Sequence, residues 1–263
     1  MDAKIAWNTW RRILRDEVLQ QQLFEHQWQA QDCDAFTQEE QAVIAVYADN
    51  IDRARWFIEN YQFRLVNSFI NALENGAPLT LRALLNSGID LPNLSREFLR
   101  AHQWHDYGPW VYRYCRDILN WLVSTWPTRD QPEALVDLMG LESEVVSLYL
   151  SLQHGAPTVM AQVGYSHTGM ARLYCSRFRL SQWLRDKKTL GLVMPPEGEE
   201  QLLVTLPVLN SRHKYLLLPQ RCAALFNQPP TACGCLNESD LPHLSRLVAA
   251  NALILQEATH EVL

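Results

Sequence analysis

Glycine is scarce, 10 in 263 residues, and none of it forms the Gly-rich loop that cradles phosphates, so the usual sequence grounds for nucleotide binding are missing. Basic residues are outnumbered: Lys and Arg total 23 against 29 Asp and Glu, a formal charge of −6. No basic stripe stands ready to neutralise a run of phosphates, and no nucleic-acid partner is expected. Apolar runs fall short of the ~18 residues that span a bilayer. The N-terminus, Met1-Asp2-Ala3-Lys4-Ile5-Ala6-Trp7, has no apolar core of signal-peptide length. Six cysteines stand singly apart from Cys233-Gly234-Cys235, so reduced thiols and a cytoplasmic, membrane-free location are expected. Tryptophan, by contrast, is plentiful: nine residues, a type suited to interfaces and peptide grooves.

Along the chain, the first half reads as helix. Trp7, Trp10, Leu14 and Val18 recur three and four apart. Thr37-Gln38-Glu39-Glu40 is a capping box, in which hydroxyl and carboxylate satisfy each other's backbone N–H. The helix it opens carries Ile44, Tyr47, Ile51, Ala54, Ile58, Tyr61 and Leu65, and a drift of this stripe predicts a bend or break near residue 60 before Gly76-Ala77-Pro78 stops it. A further helix starts around Pro109, and another after Asp130 runs through Leu135, Leu138, Val145, Leu148 and Leu152. Beyond Pro157 the period changes. Ala171–Phe178 alternates, Leu202–Val208 is a compact aliphatic run, and Lys214–Leu218 returns after a turn at Asn210-Ser211-Arg212-His213. A short helix from Arg221 to Asn227, a turn within Thr231–Leu236 and a last helix holding Leu244, Leu247, Val248 and Leu253 complete the order. The expectation is an α+β chain: an all-helical domain, residues 1–157, then a small winged-helix-like α/β domain of peptide-recognition type, residues 158–263.

Few residues invite catalysis. His102 and His105 beside Asp106 could begin a metal site, but a second ligand cluster is missing and they read as a polar helix end. Cys233-Gly234-Cys235 lacks a second pair at metal-site spacing and reads as a small-residue turn. Gly164-Tyr165-Ser166-His167-Thr168-Gly169 is one residue too long for a nucleophile elbow and reads as a turn. No catalytic or metal-binding residue is assigned.

The C-terminal domain is more informative. Its last helix, Asp240–Asn251, has a single Arg and an acidic start, poor equipment for DNA phosphates. The same architecture can take an extended peptide on the border of its sheet through main-chain hydrogen bonds. Lys214, Tyr215, Leu216, Leu217 and Leu218 form the candidate edge strand, with Tyr215 and Leu217 on one face and the other three on the opposite face. His243, Leu244 and Leu247 on the last helix are the candidate groove wall, and Leu216→Pro is expected to abolish binding if that N–H faces the open border. The alternative is a winged-helix transcriptional regulator with a helical sensor domain.

Glu39-Glu40-Gln41-Ala42 with Tyr47, the segment Tyr107-Gly108-Pro109-Trp110-Val111-Tyr112-Arg113-Tyr114, and C-terminal stretches Ala223–Pro229 and Leu247–Ile254 together resemble a known family. They are similar to the partner proteins of multinuclear non-haem iron enzymes that modify ribosomally made peptides, those of methanobactin biosynthesis above all. The resemblance implies a non-catalytic subunit without a cofactor of its own. A separate TIM-barrel subunit would hold the iron and oxidise a cysteine of the precursor to an oxazolone and a thioamide. This chain would bind the precursor's leader along Lys214–Leu218 and the last helix.

Overall fold

The computed structural model describes residues 2–29, 35–129, 132–153, 155, 164–209, 211–230 and 237–256. The fold is α+β, helical through the N-terminal half with small antiparallel sheets towards the C-terminus. Among the described residues no helix is long and apolar enough to cross a membrane.

Two compact units divide the chain, one of Met1–Asn71 with Asp90–Pro109, the other of Ala72–Ile89 with Trp110–Leu263. This division does not fall at residue 157. The helix before that point packs on the sheet that follows it, and an apolar helix face and an apolar sheet face bury each other.

The first unit contains α1 (Ala3–Ile13), α2 (Glu17–Phe24), α3 (Gln38–Asp49), α4 (Ile51–Gly76, up to Asn71) and α6 (Leu91–Ala101). The capping box is formed: Glu40 N donates to the Thr37 hydroxyl at 3.3 Å and Thr37 N to the Glu40 carboxylate at 2.9 Å. The stripe it opens is core, with Ile44, Ile51, Ala54 and Ile58 buried against Ile13, Leu19 and Leu23. The interruption, however, comes at Asn50 and not near residue 60. Asn50 Nδ2 donates to the Val46 carbonyl at 3.0 Å, a local bond that competes with the helical ladder and ends α3. In α1 the buried face is Thr9 and Ile13, while Trp7 at the head of the expected stripe is 60% exposed.

The second unit is built on α8 (Glu133–Leu152). Ten of its residues are buried, more than one stripe can supply, because it has neighbours on several sides. These are α5 (Pro78–Asn86), α7 (Val111–Thr125) and the sheet. Antiparallel strands β2 (Ala171–Phe178), β3 (Glu197–Thr205) and β4 (Lys214–Leu218) lie in the order β2-β3-β4. Leu203, Leu216 and Leu218 point to one face, where α10 (Gln220–Asn227) and α11 (Leu241–Ala249) complete a core with Cys222, Leu225, Phe226, Leu244 and Leu247. On the opposite face Tyr174 reaches α8, where its hydroxyl meets Asp137. Gly140 of α8 lies under this ring, and a Cβ there would collide with the Tyr174 hydroxyl. Gly140→Ala, which in an exposed helix would stabilise by up to about 1 kcal/mol, is therefore expected to lower the thermal midpoint; a raised midpoint would show that the tyrosine can move aside.

Three strand-and-helix expectations need correction. Gly164–His167 is a strand, β1, not a turn, and pairs antiparallel with β5 (Leu253–Gln256). The last helix stops at Ala249, because Asn251 adopts φ 56° and reverses the chain, so Leu253 opens a strand. A short helix, α9 (Ser181–Arg185), interrupts the expected run of strands. It is capped by Glu200, which accepts from Ser181 N at 2.8 Å and Ser181 Oγ at 2.6 Å. The expected helix start at Asp130, Asn210 of the expected turn and the segment Thr231–Leu236 lie outside the described residues.

Candidate peptide-binding edge

Strand β4 pairs with β3 and, among the described residues, with no other strand, so its second side is a free border. Which residues face that border follows from parity. Leu206 N donates to Met170 O at 2.9 Å, so even-numbered residues at this end of β3 address β2 and odd-numbered ones address β4. The partners of Thr205, Leu203 and Gln201 are Lys214, Leu216 and Leu218. These three residues therefore spend their N–H and C=O groups inside the sheet, and Tyr215 and Leu217 turn theirs outward. Arg246 agrees: from α11 its Nη2 donates to the carbonyl of Leu217 at 2.9 Å.

This placement revises the role of each singled-out residue. Leu216 faces β3, so proline there would break the sheet itself; the N–H groups that face a guest are those of Tyr215 and Leu217. Leu218 is buried and Leu216 packs on the same core, whereas Leu217 is 46% exposed. Leu244 and Leu247 are fully buried between α11 and the sheet, so they support the helix from beneath and offer no side chain to an open groove. The half-buried His243 meets α10, its carbonyl accepting from Cys222 Sγ at 3.6 Å. The residue by which α11 meets the border is Arg246. Its signal was present, as the single Arg of that helix, but nothing in a sequence tells which carbonyl an arginine will reach.

The N-terminal end of β4 is anchored to α8 through aromatic rings. His213 sits between two hydroxyls, Tyr149 Oη 3.3 Å from Nδ1 and Tyr215 Oη 3.1 Å from Nε2. Tyr149 in turn stacks on Tyr112 of α7, centroids 4.9 Å apart. Burial, with Lys187 nearby, holds the imidazole pKa below its ordinary value. Burial also raises the phenol of Tyr215 well above its own. Both shifts favour neutral forms, and a neutral chain of donors and acceptors is what a partly dry site can hold without an unpaired charge. At the other end of β4 lies an open groove of about 630 Å³, lined among others by Arg179, Arg185, Glu199, Leu217 and Arg246. Close by, Arg221 of α10 clasps Asp240 before α11 through two bonds of 2.8 and 2.6 Å, fixing the angle between the two helices.

The remaining motifs are held by local contacts. His102 stacks on Phe98 with centroids 4.0 Å apart, and its Nδ1 lies 2.9 Å from the Phe98 carbonyl. His105 packs edge-on to Tyr107. His167 stacks on Phe226 and contacts its carbonyl at 2.6 Å, while Thr168 N–H and hydroxyl hold the turn before β5. Among the described residues no group of three or more His, Cys, Asp or Glu is placed to hold a metal ion. Cys233 and Cys235 lie outside the described residues. No protein-family model matches the chain, and a search of curated proteins finds no match.

Proposed function

We propose that this chain is a non-catalytic subunit that takes up an extended peptide by strand addition on β4 and presents it to a separate enzyme. The observation that supports the reading is the outward main chain of Tyr215 and Leu217 on the border strand, with α11 alongside. Strand addition draws its affinity from backbone groups and leaves the guest's side chains largely free to vary, which suits one recogniser serving a peptide whose distal part is to be modified. In the finer form implied by the family resemblance, the guest is the leader of a ribosomally made precursor. The partner is then an iron-dependent TIM-barrel oxidase that acts on the precursor's cysteine and forms an oxazolone and thioamide. The iron belongs to that partner. A DNA-binding role is not favoured: the exposed face of α11 carries Leu241 and Val248, and its arginine is engaged with the sheet.

The test is Leu217→Pro. An outward N–H on an edge strand makes no ladder bond, so proline is tolerated there by the fold while the donor to the guest is lost. The neighbouring reading frames are searched for a short cysteine-bearing precursor, and a fluorescent synthetic copy of its leader is titrated against the full chain. Saturable binding to the wild type and a loss of affinity on the order of tenfold or more in the variant, with unchanged circular dichroism, are expected. Equal affinity for the variant, or no binding by the wild type, would refute strand addition at β4.

A further inference from the structure

The border of β4 is guarded. Arg246 places its guanidinium on the Leu217 carbonyl, the position that an added strand's N–H would occupy. An edge strand left bare invites self-association, and a cation parked on it blocks that. The same contact sets what can replace it. The groove beside Leu217 holds three arginines, Arg179, Arg185 and Arg246, against two glutamates, Glu199 and Glu200. Both Glu200 oxygens are already engaged by Ser181, and the Arg185 Nε is turned onto the Ser181 carbonyl at 3.3 Å. A guest that dislodges Arg246 therefore leaves a guanidinium with a neutral carbonyl lost, in a groove where, among the described residues, Glu199 is the one remaining carboxylate against Arg179, Arg185 and Arg246 and the balance stays positive.

We propose that Arg246 is a displaceable latch that selects a peptide bearing an acidic side chain. The guest's N–H takes over the Leu217 carbonyl, and the released guanidinium closes on a guest Asp or Glu, exchanging a bond to a neutral acceptor for a hydrogen-bonded ion pair. Geometry fixes the position of that acid. Leu216 and Leu218 point to the α11 side of the sheet and Leu217 to the other, so the guest residue opposite Leu217 also points away from α11. Its immediate neighbours point towards Arg246, and the acid stands one residue from the one paired with Leu217. This inference rests on the strand-addition reading and adds the chemical class of the guest.

The experiment pans a displayed library of random 12-residue peptides on the full chain in three forms: wild type, Arg246→Glu and Leu217→Pro. Wild-type selections are expected to share a strand-forming core with Asp or Glu at one fixed position, and Arg246→Glu selections to carry Lys or Arg there. For one selected peptide, Arg246→Ala weakens binding about tenfold. Its acid-to-alanine version binds Arg246→Ala at least as tightly as it binds the wild type, because the latch no longer competes for the carbonyl. Strand-forming selections without an acid preference, lost in Leu217→Pro but indifferent to residue 246, would overturn the latch and leave strand addition standing. An empty selection, or peptides that bind Leu217→Pro equally well, would overturn both.

Discussion

Replacing Asp137 with alanine should destabilise the protein by about 4 kcal/mol, the sum of several buried donors left without an acceptor. Asp137 lies on α8, is 5% exposed, and is the point at which that helix grips the sheet. Its carboxylate accepts from the Tyr174 hydroxyl at 2.8 Å, the Ser176 hydroxyl at 2.6 Å, Arg177 N at 2.7 Å and Phe178 N at 3.1 Å. The last two donors sit where the register of β2 against β3 shifts between Ser176 and Phe178, a bulge whose freed N–H groups need a partner from elsewhere. Ser176 has a second acceptor in the Phe178 carbonyl, and Phe178 N has one in the Ser176 hydroxyl at 3.2 Å; among the described residues Arg177 N and the tyrosine hydroxyl are the donors with Asp137 as their acceptor and no such alternative. Asp137→Asn keeps the shape and one accepting oxygen yet turns an NH₂ towards donors, so about half the loss is expected. Urea unfolding measures both: the midpoint falls while the slope stays that of the wild type. A loss below about 1 kcal/mol for the alanine variant would mean that water replaces the carboxylate, and that the grip of α8 lies in its apolar contacts.

A second large effect depends on pH. Glu142, also on α8, is fully buried and caps α5 from outside, accepting from Leu79 N at 3.0 Å and Thr80 N at 2.6 Å. Burial penalises its charge more than these two bonds favour it, so its pKa rises from 4.5 to about 7. A carboxyl whose folded pKa is raised binds its proton more tightly in the folded state. Its contribution is complete below pH 4.5 and is lost as pH climbs through about 7. The amount is on the order of 3 kcal/mol over that window. Glu142→Gln cannot ionise and removes this slope. His167 and His213, whose pKa values burial lowers, impose an opposite slope on both proteins, so the difference between wild type and variant isolates Glu142. Chemical unfolding at pH 5 and pH 8 is sufficient. Parallel stability curves for the two proteins would show that the carboxyl does not change its protonation in this range.

These two acids also mark where the sequence stops being readable. A lone Asp or Glu among apolar residues of a helix ordinarily marks the solvent side, and only partners 37 to 41 or 62 to 63 residues away make Asp137 and Glu142 internal. Local signals were legible: the Thr37 box, the apolar positions from Ile44 to Leu65, and the alternation of β2 and β4 are all written within a few residues of each other. The pairing of β1 with β5 was not, since each has four residues and neither can indicate a partner so distant in the chain. Leu253 fitted the stripe of α11, and only the left-handed turn at Asn251 separates them. For the candidate edge, alternation placed Tyr215 and Leu217 on a common face, but the direction of their backbone groups needed the β3 register, which no single strand contains.

The interleaving of the two compact units limits how this protein can be dissected. Each is assembled from two stretches of chain, with Ala72–Ile89 and Asp90–Pro109 belonging to opposite units, so neither can be expressed as one uninterrupted polypeptide. A fragment beginning at residue 158 would lack α8 and leave Tyr174, Ser176 and the Asp137-dependent N–H groups of β2 without their counterpart. During synthesis α5 and α7 precede α8 and can cover it at once, but its sheet-facing side must wait until the ribosome has delivered β4, roughly sixty residues after α8 has emerged.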